Sequence, residues 1–69
     1  MERIPVSSSN IAAIGFELLS ETLEVEFKNG SIYQYFNVPE VLFEQLMAAT
    51  SVGAFFNANI RDAFGCQRA

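Results

Sequence analysis

The stretch Thr22-Leu23-Glu24-Val25-Glu26-Phe27-Lys28-Asn29-Gly30-Ser31-Ile32-Tyr33-Gln34-Tyr35 decides the fold. Leu23, Val25 and Phe27 alternate with Glu24, Glu26 and Lys28, the period of a strand with one covered and one solvated face. Asn29-Gly30 follows, and a short Asn-Gly between two such runs is a hairpin signal because both residues tolerate positive φ. A two-residue loop would pair Val25 with Gln34 and place an amide in the apolar layer. A three-residue Lys28-Asn29-Gly30 loop with a glycine bulge pairs Val25 with Tyr33, Leu23 with Tyr35 and Glu24 with Gln34. Burying an amide without a partner costs roughly 1–3 kcal/mol, so the bulged turn is expected, with Tyr33 and Tyr35 on the helix-covered face. A slip of one residue would reverse that assignment.

Upstream, residues 11–19 carry Ile14, Phe16 and Leu18 on alternate positions, a further strand. It is joined to the next by a polar turn at Ser20-Glu21. Residues 1–5 read as an extended lead-in and Ser7-Ser8-Ser9-Asn10 as a turn, since short hydroxyl and amide side chains bond their own backbone. Downstream, the third strand covers residues 31–37, and Val38-Pro39 opens a helix with proline at its first position. Leu42, Phe43, Leu46, Met47 and Ala49 form one apolar stripe on it. Ser51 is placed to cap a second helix carrying Val52, Phe55, Phe56, Ile60 and Phe64, with Gly65 as its stop. Gly53 in the first turn suggests a close approach of neighbouring backbone, and the tail Cys66-Gln67-Arg68-Ala69 carries no pattern. The expectation is one α+β domain over residues 1–69, a three-stranded antiparallel meander followed by two helices packed on one face.

Composition supports a packed core: 51% of the 69 residues are hydrophobic and 13% aromatic, unlike a disordered chain. Burial and conformational ordering nevertheless each sum to about 100 kcal/mol for a chain of this size. That near balance favours a partner that adds stability. No apolar run approaches the ~18 residues of a membrane span, and the opening Met-Glu-Arg-Ile-Pro lacks a secretory signal's apolar stretch, so a cytoplasmic location is expected.

Catalysis has little support. There is no His to act as base, and Cys66 is the single cysteine, expected to be inert. The carboxylates are scattered, with Glu24 and Glu26 on a strand face that reads as solvated. No metal or cofactor site and no enzymatic activity are expected.

Three separated blocks resemble the KTSC domain family. Leu23-x-Val25-x-Phe27-x-x-Gly30-x-x-Tyr33-x-Tyr35-x-x-Val38-Pro39 is similar to its central signature with the YxY motif. Ala49-x-Ser51-x-Gly53-x-Phe55-Phe56-Asn57-x-x-Ile60-Arg61 is similar to its second signature, and Val6-x-Ser8-Ser9 followed by Ile14-Gly15-Phe16 fits as well. The resemblance implies a small accessory domain of the kind found free-standing in bacteria and phages and at the C-terminus of some lysyl-tRNA synthetases. It suggests RNA contact but assigns no specific function. The chain departs from the family's basic pattern in its second helix and tail, where Val52, Ala54, Ala58, Asp62, Ala63 and Gln67 leave only Arg61 and Arg68 basic.

The candidate contact residues are Tyr33 and Tyr35, which would stack bases if exposed or cover the core if not, and Asn57 with Arg61, four apart on a helix. The formal net charge of −4 weakens attraction to phosphate. A protein-interaction or self-associating module is therefore ranked first, on the expectation that Phe36 and Phe55 are incompletely hidden. An RNA-binding accessory domain using Tyr33, Tyr35 and Arg61 is the alternative.

Overall fold

A computed structural model describes all residues 1–69. The central hairpin forms in the expected register. β3 (Thr22–Phe27) and β4 (Ile32–Tyr35) pair Leu23 with Tyr35, Glu24 with Gln34 and Val25 with Tyr33. The loop is the three-residue turn with a glycine bulge: Gly30 N–H donates to the Phe27 carbonyl, Phe27 N–H to the Ser31 carbonyl, and Gly30 adopts φ +93°.

The sheet has five antiparallel strands rather than three, in the order β1-β2-β3-β4-β5. β1 (Arg3–Pro5) pairs with β2 (Ile11–Glu17), and β5 (Cys66–Arg68) pairs with β4. Both added strands are three-residue edges on which no alternation can be read, and backbone bonding to a neighbour defines them. Phe36 N–H donates to the Gly65 carbonyl at 2.9 Å and Ala69 N–H to the Ile32 carbonyl at 2.8 Å, fastening both ends of β5. Pro5 lacks an N–H and is tolerated because it lies on an edge.

β2 departs from strict alternation. Ile11 pairs with Phe27 but Ala13 with Glu26, so Ala12 is an extra residue that brings both Ile11 and Ile14 to the covered face. The strand ends at Glu17, and Leu18, expected to point inward, is 55% exposed in the following turn.

On the covered face lie α1 (Glu40–Ala48) and α2 (Val52–Asn59). Pro39 is the cap of α1 rather than its first residue, because its extended ψ of 147° stands outside the helix. Ser51 caps α2, its side chain accepting from Ala54 N–H at 3.3 Å. α2 stops at Asn59, short of the expected Gly65. Ile60 and Arg61 N–H groups converge on the Phe56 carbonyl, and Phe64 packs on the core from the turn that follows. The core joins Ile11, Ile14, Leu23, Val25 and Tyr35 from the sheet to Val38, Leu46, Val52, Phe56 and Ile60. Phe16 and Phe43 stack at 4.8 Å and tie β2 to α1. Gly53 meets side chains rather than backbone: a Cβ there would sit 3.1 Å from Asn10 Oδ1 and 3.2 Å from Ser8 Oγ.

The opposite face corrects a second expectation. Glu24 is buried rather than solvated, at 8% exposure. Arg3 lies opposite Gly15, which lies opposite Glu24. With no side chain between them, Arg3 Nη1 reaches Glu24 Oε1 at 2.8 Å and its Nε reaches Glu26 Oε1 at 3.2 Å. No helix is long and apolar enough to cross a membrane.

Candidate functional site

The hairpin register and the added strand β5 together build a concavity of about 510 Å³ at one end of the covered face. Its floor is aromatic. Tyr33 and Tyr35 project from β4 and Phe27 from the end of β3, and Phe56 descends from α2. The rings form an edge-to-face chain, Tyr33 to Phe27 at 6.0 Å, Phe27 to Phe56 at 5.8 Å and Phe56 to Tyr35 at 5.4 Å, an arrangement that sets the positive edge of one ring on the negative face of the next. Tyr35 is buried and Tyr33 half-buried, so neither ring stands free on the sheet surface.

Polar groups form the wall. Asn57 comes from α2, Arg61 and Asp62 from the turn that ends it, Asn10 from the turn before β2, Asn29 and Ser31 from the hairpin, and Cys66 from β5. Asn29 Oδ1 accepts from both the N–H and the hydroxyl of Ser31, which commits it to the turn. The hydroxyls of Tyr33 and Tyr35 make no bond within the chain, yet no buried side-chain polar atom lacks a partner, so the hydroxyls open onto the concavity. Burial pushes the Tyr35 phenol above its ordinary pKa, with Cys66, Tyr33 and Asp62 acting in the same sense and Arg61 opposing them. At neutral pH Tyr35 is therefore a neutral hydrogen-bond donor.

Charge is distributed unevenly around the site. Arg68 pairs across from Tyr33, and its guanidinium lies over the Tyr33 ring, Cζ 6.0 Å from the centroid. Lys28 lines an adjoining recess that shares Asn10, Phe27 and Asn29 with the main concavity. Of the four basic residues Arg61 lines the concavity, Lys28 and Arg68 each adjoin a residue or recess that shares its lining, and Arg3 is committed to Glu24 and Glu26. Of the eight acidic residues only Asp62 is in the lining, and neither Arg61 nor Arg68 is in an ion pair.

The structure brings Tyr33, Tyr35, Asn57 and Arg61 into one lining. Arg61 stands just past the helix end rather than within it. Sequence reasoning read Phe27 and Phe56 as core only and attached no role to Lys28, Asn10 or Arg68. The place of Arg68 depends on the pairing of β5, for which the tail carries no side-chain signal. No group of three or more His, Cys, Asp or Glu residues is placed to hold a metal ion.

Comparison with known proteins sets this arrangement in a family. The family model described as the KTSC domain matches residues 7–64. The crystal structure of a KTSC domain protein from Yersinia pestis superimposes with a TM-score of 0.93 at 40% identity, covering 99% of this chain and 96% of the other. A protein from Tsukamurella paurometabola is 38% identical over 60 residues, 87% of this chain and 90% of its own length. A lysine–tRNA ligase of Nostoc sp. is 43% identical over 56 residues, 81% of this chain but 10% of the ligase.

Proposed function

The chain belongs to the KTSC domain family, and we propose that this member is an accessory module that contacts single-stranded RNA through the concavity beneath α2. One observation carries the reading: Arg61 lines an aromatic-floored concavity beside Asp62, while Lys28 lines the recess that adjoins it and Arg68 lies over the ring of Tyr33 in its floor. Cationic side chains supply the phosphate attraction, and aromatic and amide groups engage a base that has left its stack. The relatives that are lysine–tRNA ligases carry a similar segment in a protein that acts on tRNA, which supports RNA as the polymer. The net charge of −4 ranks self-association first on sequence, but the lining of the concavity balances Arg61 against Asp62, with Lys28 in the adjoining recess and Arg68 over the Tyr33 ring. Phe36 and Phe55 are both half-buried, the incompletely hidden state on which the self-association reading rests, so that reading is set behind RNA on the character of the concavity alone.

The test is titration of a labelled single-stranded RNA and of a tRNA at about 50 mM and about 200 mM salt, a range over which phosphate contacts lose affinity steeply. Binding is expected to weaken with salt, and Arg61→Ala is expected to lower the salt slope by about one. Absence of binding at the lower salt, or a slope unchanged in Arg61→Ala, refutes the reading.

A further inference from the structure

We propose that Tyr33 and Arg68 form the two walls of a stacking slot for the base of one ribonucleotide. This deepens the RNA reading and rests on it. The Arg68 guanidinium lies over the Tyr33 ring with Cζ 6.0 Å from its centroid. That distance is too long for direct stacking and sits at the outer limit of a cation–π contact. A planar base inserted between them needs contact of about 3.5 Å on each side, or about 7 Å in all, so Arg68 has to move outward by at least about 1 Å. Arg68 is exposed, is in no ion pair and lies on a three-residue edge strand, so little opposes that movement.

The groups around the slot complement a nucleotide. Phe27 packs against Tyr33 edge-to-face at 6.0 Å and 80°, which holds the tyrosine ring in place as a platform. Asn57, whose amide makes no hydrogen bond within the chain, offers a donor and an acceptor to a base edge. Arg61 stands on the same lining for the phosphate. A volume near 510 Å³ is within the range of small-ligand sites. A guanidinium is suited to this role where an ammonium is not, because it is planar and weakly hydrated and stacks while remaining charged.

The experiment is an NMR titration of the intact domain with adenosine 5′-monophosphate, ribose 5-phosphate and inorganic phosphate, repeated in Arg68→Lys and Tyr33→Leu. The adenylate is expected to bind roughly 5- to 150-fold tighter than ribose 5-phosphate, the gain from stacking one base, with its base protons shifted upfield. Arg68→Lys keeps the charge and the Tyr33 platform but removes the second wall, and is expected to lower that ratio several-fold while leaving ribose 5-phosphate affinity within about two-fold. Tyr33→Leu, provided that its amide spectrum is folded, is expected to remove the upfield shifts. Equal affinity for the adenylate and ribose 5-phosphate overturns the slot, as does no adenylate binding at millimolar concentration or an adenylate preference unchanged in Arg68→Lys. Salt-sensitive RNA binding without a base preference sinks the slot and leaves the RNA reading standing; a base preference without RNA binding does the reverse.

Discussion

Replacing Arg3 by alanine tests the physical claim that one cation makes the burial of Glu24 on the back of the sheet tolerable. Glu24 has a side chain only 10% exposed, and Arg3 Nη1 lies 2.8 Å from its Oε1. Taking the arginine away leaves a nearly buried carboxylate without its partner, whereas Glu24→Gln leaves an amide that still accepts from Arg3 and leaves Arg3 its second contact, Glu26 at 3.2 Å. Breaking a fully buried pair costs about 3–5 kcal/mol. Arg3 is a third exposed here, so solvent screening lowers the expected loss for Arg3→Ala to about 1–3 kcal/mol. Glu24→Gln is expected to cost about 0.5–1 kcal/mol. For a domain of this size the first corresponds to a fall in Tm of roughly 5–20 °C. Urea unfolding followed by far-ultraviolet circular dichroism reads both, and the order is what matters. An Arg3→Ala variant within about 0.5 kcal/mol of wild type, or one less destabilised than Glu24→Gln, refutes the argument that burial of Glu24 depends on Arg3.

Two glycines are predicted to fail in different ways when replaced by alanine. At Gly15 a Cβ would lie 2.7 Å from the Glu2 carbonyl, so Gly15→Ala is expected to cost about 1–3 kcal/mol and to raise amide exchange selectively in β1; at Gly30 nothing lies within 4 Å but φ is +93°, so Gly30→Ala is expected to cost about 1 kcal/mol with β1 exchange unchanged. Tyr35 gives a pH prediction. Its folded pKa is raised, so the unfolded state loses the phenolic proton first, and the native state binds more protons as pH rises past the ordinary tyrosine value near 10. Stability is therefore intact below that value and falls above it, and alkaline thermal melts are expected to show a smaller loss in Tyr35→Phe than in wild type.

The hairpin was legible because two independent requirements agreed on it: the turn chemistry of Asn29-Gly30 and the need to keep Gln34 out of the apolar layer. The Ser51 cap was legible for the same local reason, a hydroxyl placed just before an apolar helical run. What escaped depends on partners distant in sequence. β1 and β5 are three-residue edges whose positions are set by the strands they join. The bulge at Ala12 hides the change of parity that brings Ile11 inward beside Ile14, and the alternation of Ile14, Phe16 and Leu18 carries no mark of the strand's end at Glu17, which leaves Leu18 outside. Burial of Glu24 requires an arginine 21 residues away and a glycine between them. In the candidate site the same division holds: Tyr33, Tyr35, Asn57 and Arg61 follow from local pattern and from resemblance, and Arg68 follows only from strand pairing.

The net charge of −4 and three basic residues near one site are compatible because net charge is a sum that discards position. At physiological ionic strength the field of an exposed charge decays over about 8 Å, while the smallest extent of this domain is 22 Å. An anion at the concavity therefore responds more to Arg61, Asp62, Lys28 and Arg68 than to Glu24 and Glu26, which lie on the opposite face of the sheet and are paired with Arg3. The sheet produces the separation. Its two-residue alternation sends Glu24 and Glu26 to one face and the tyrosines to the other, Arg3 offsets half of the charge on the first face, and β5 delivers Arg68 to the second. A five-stranded sheet in this register thus places Arg61, Arg68 and Lys28 toward one end of an acidic chain's covered face, an arrangement that net charge alone does not reveal.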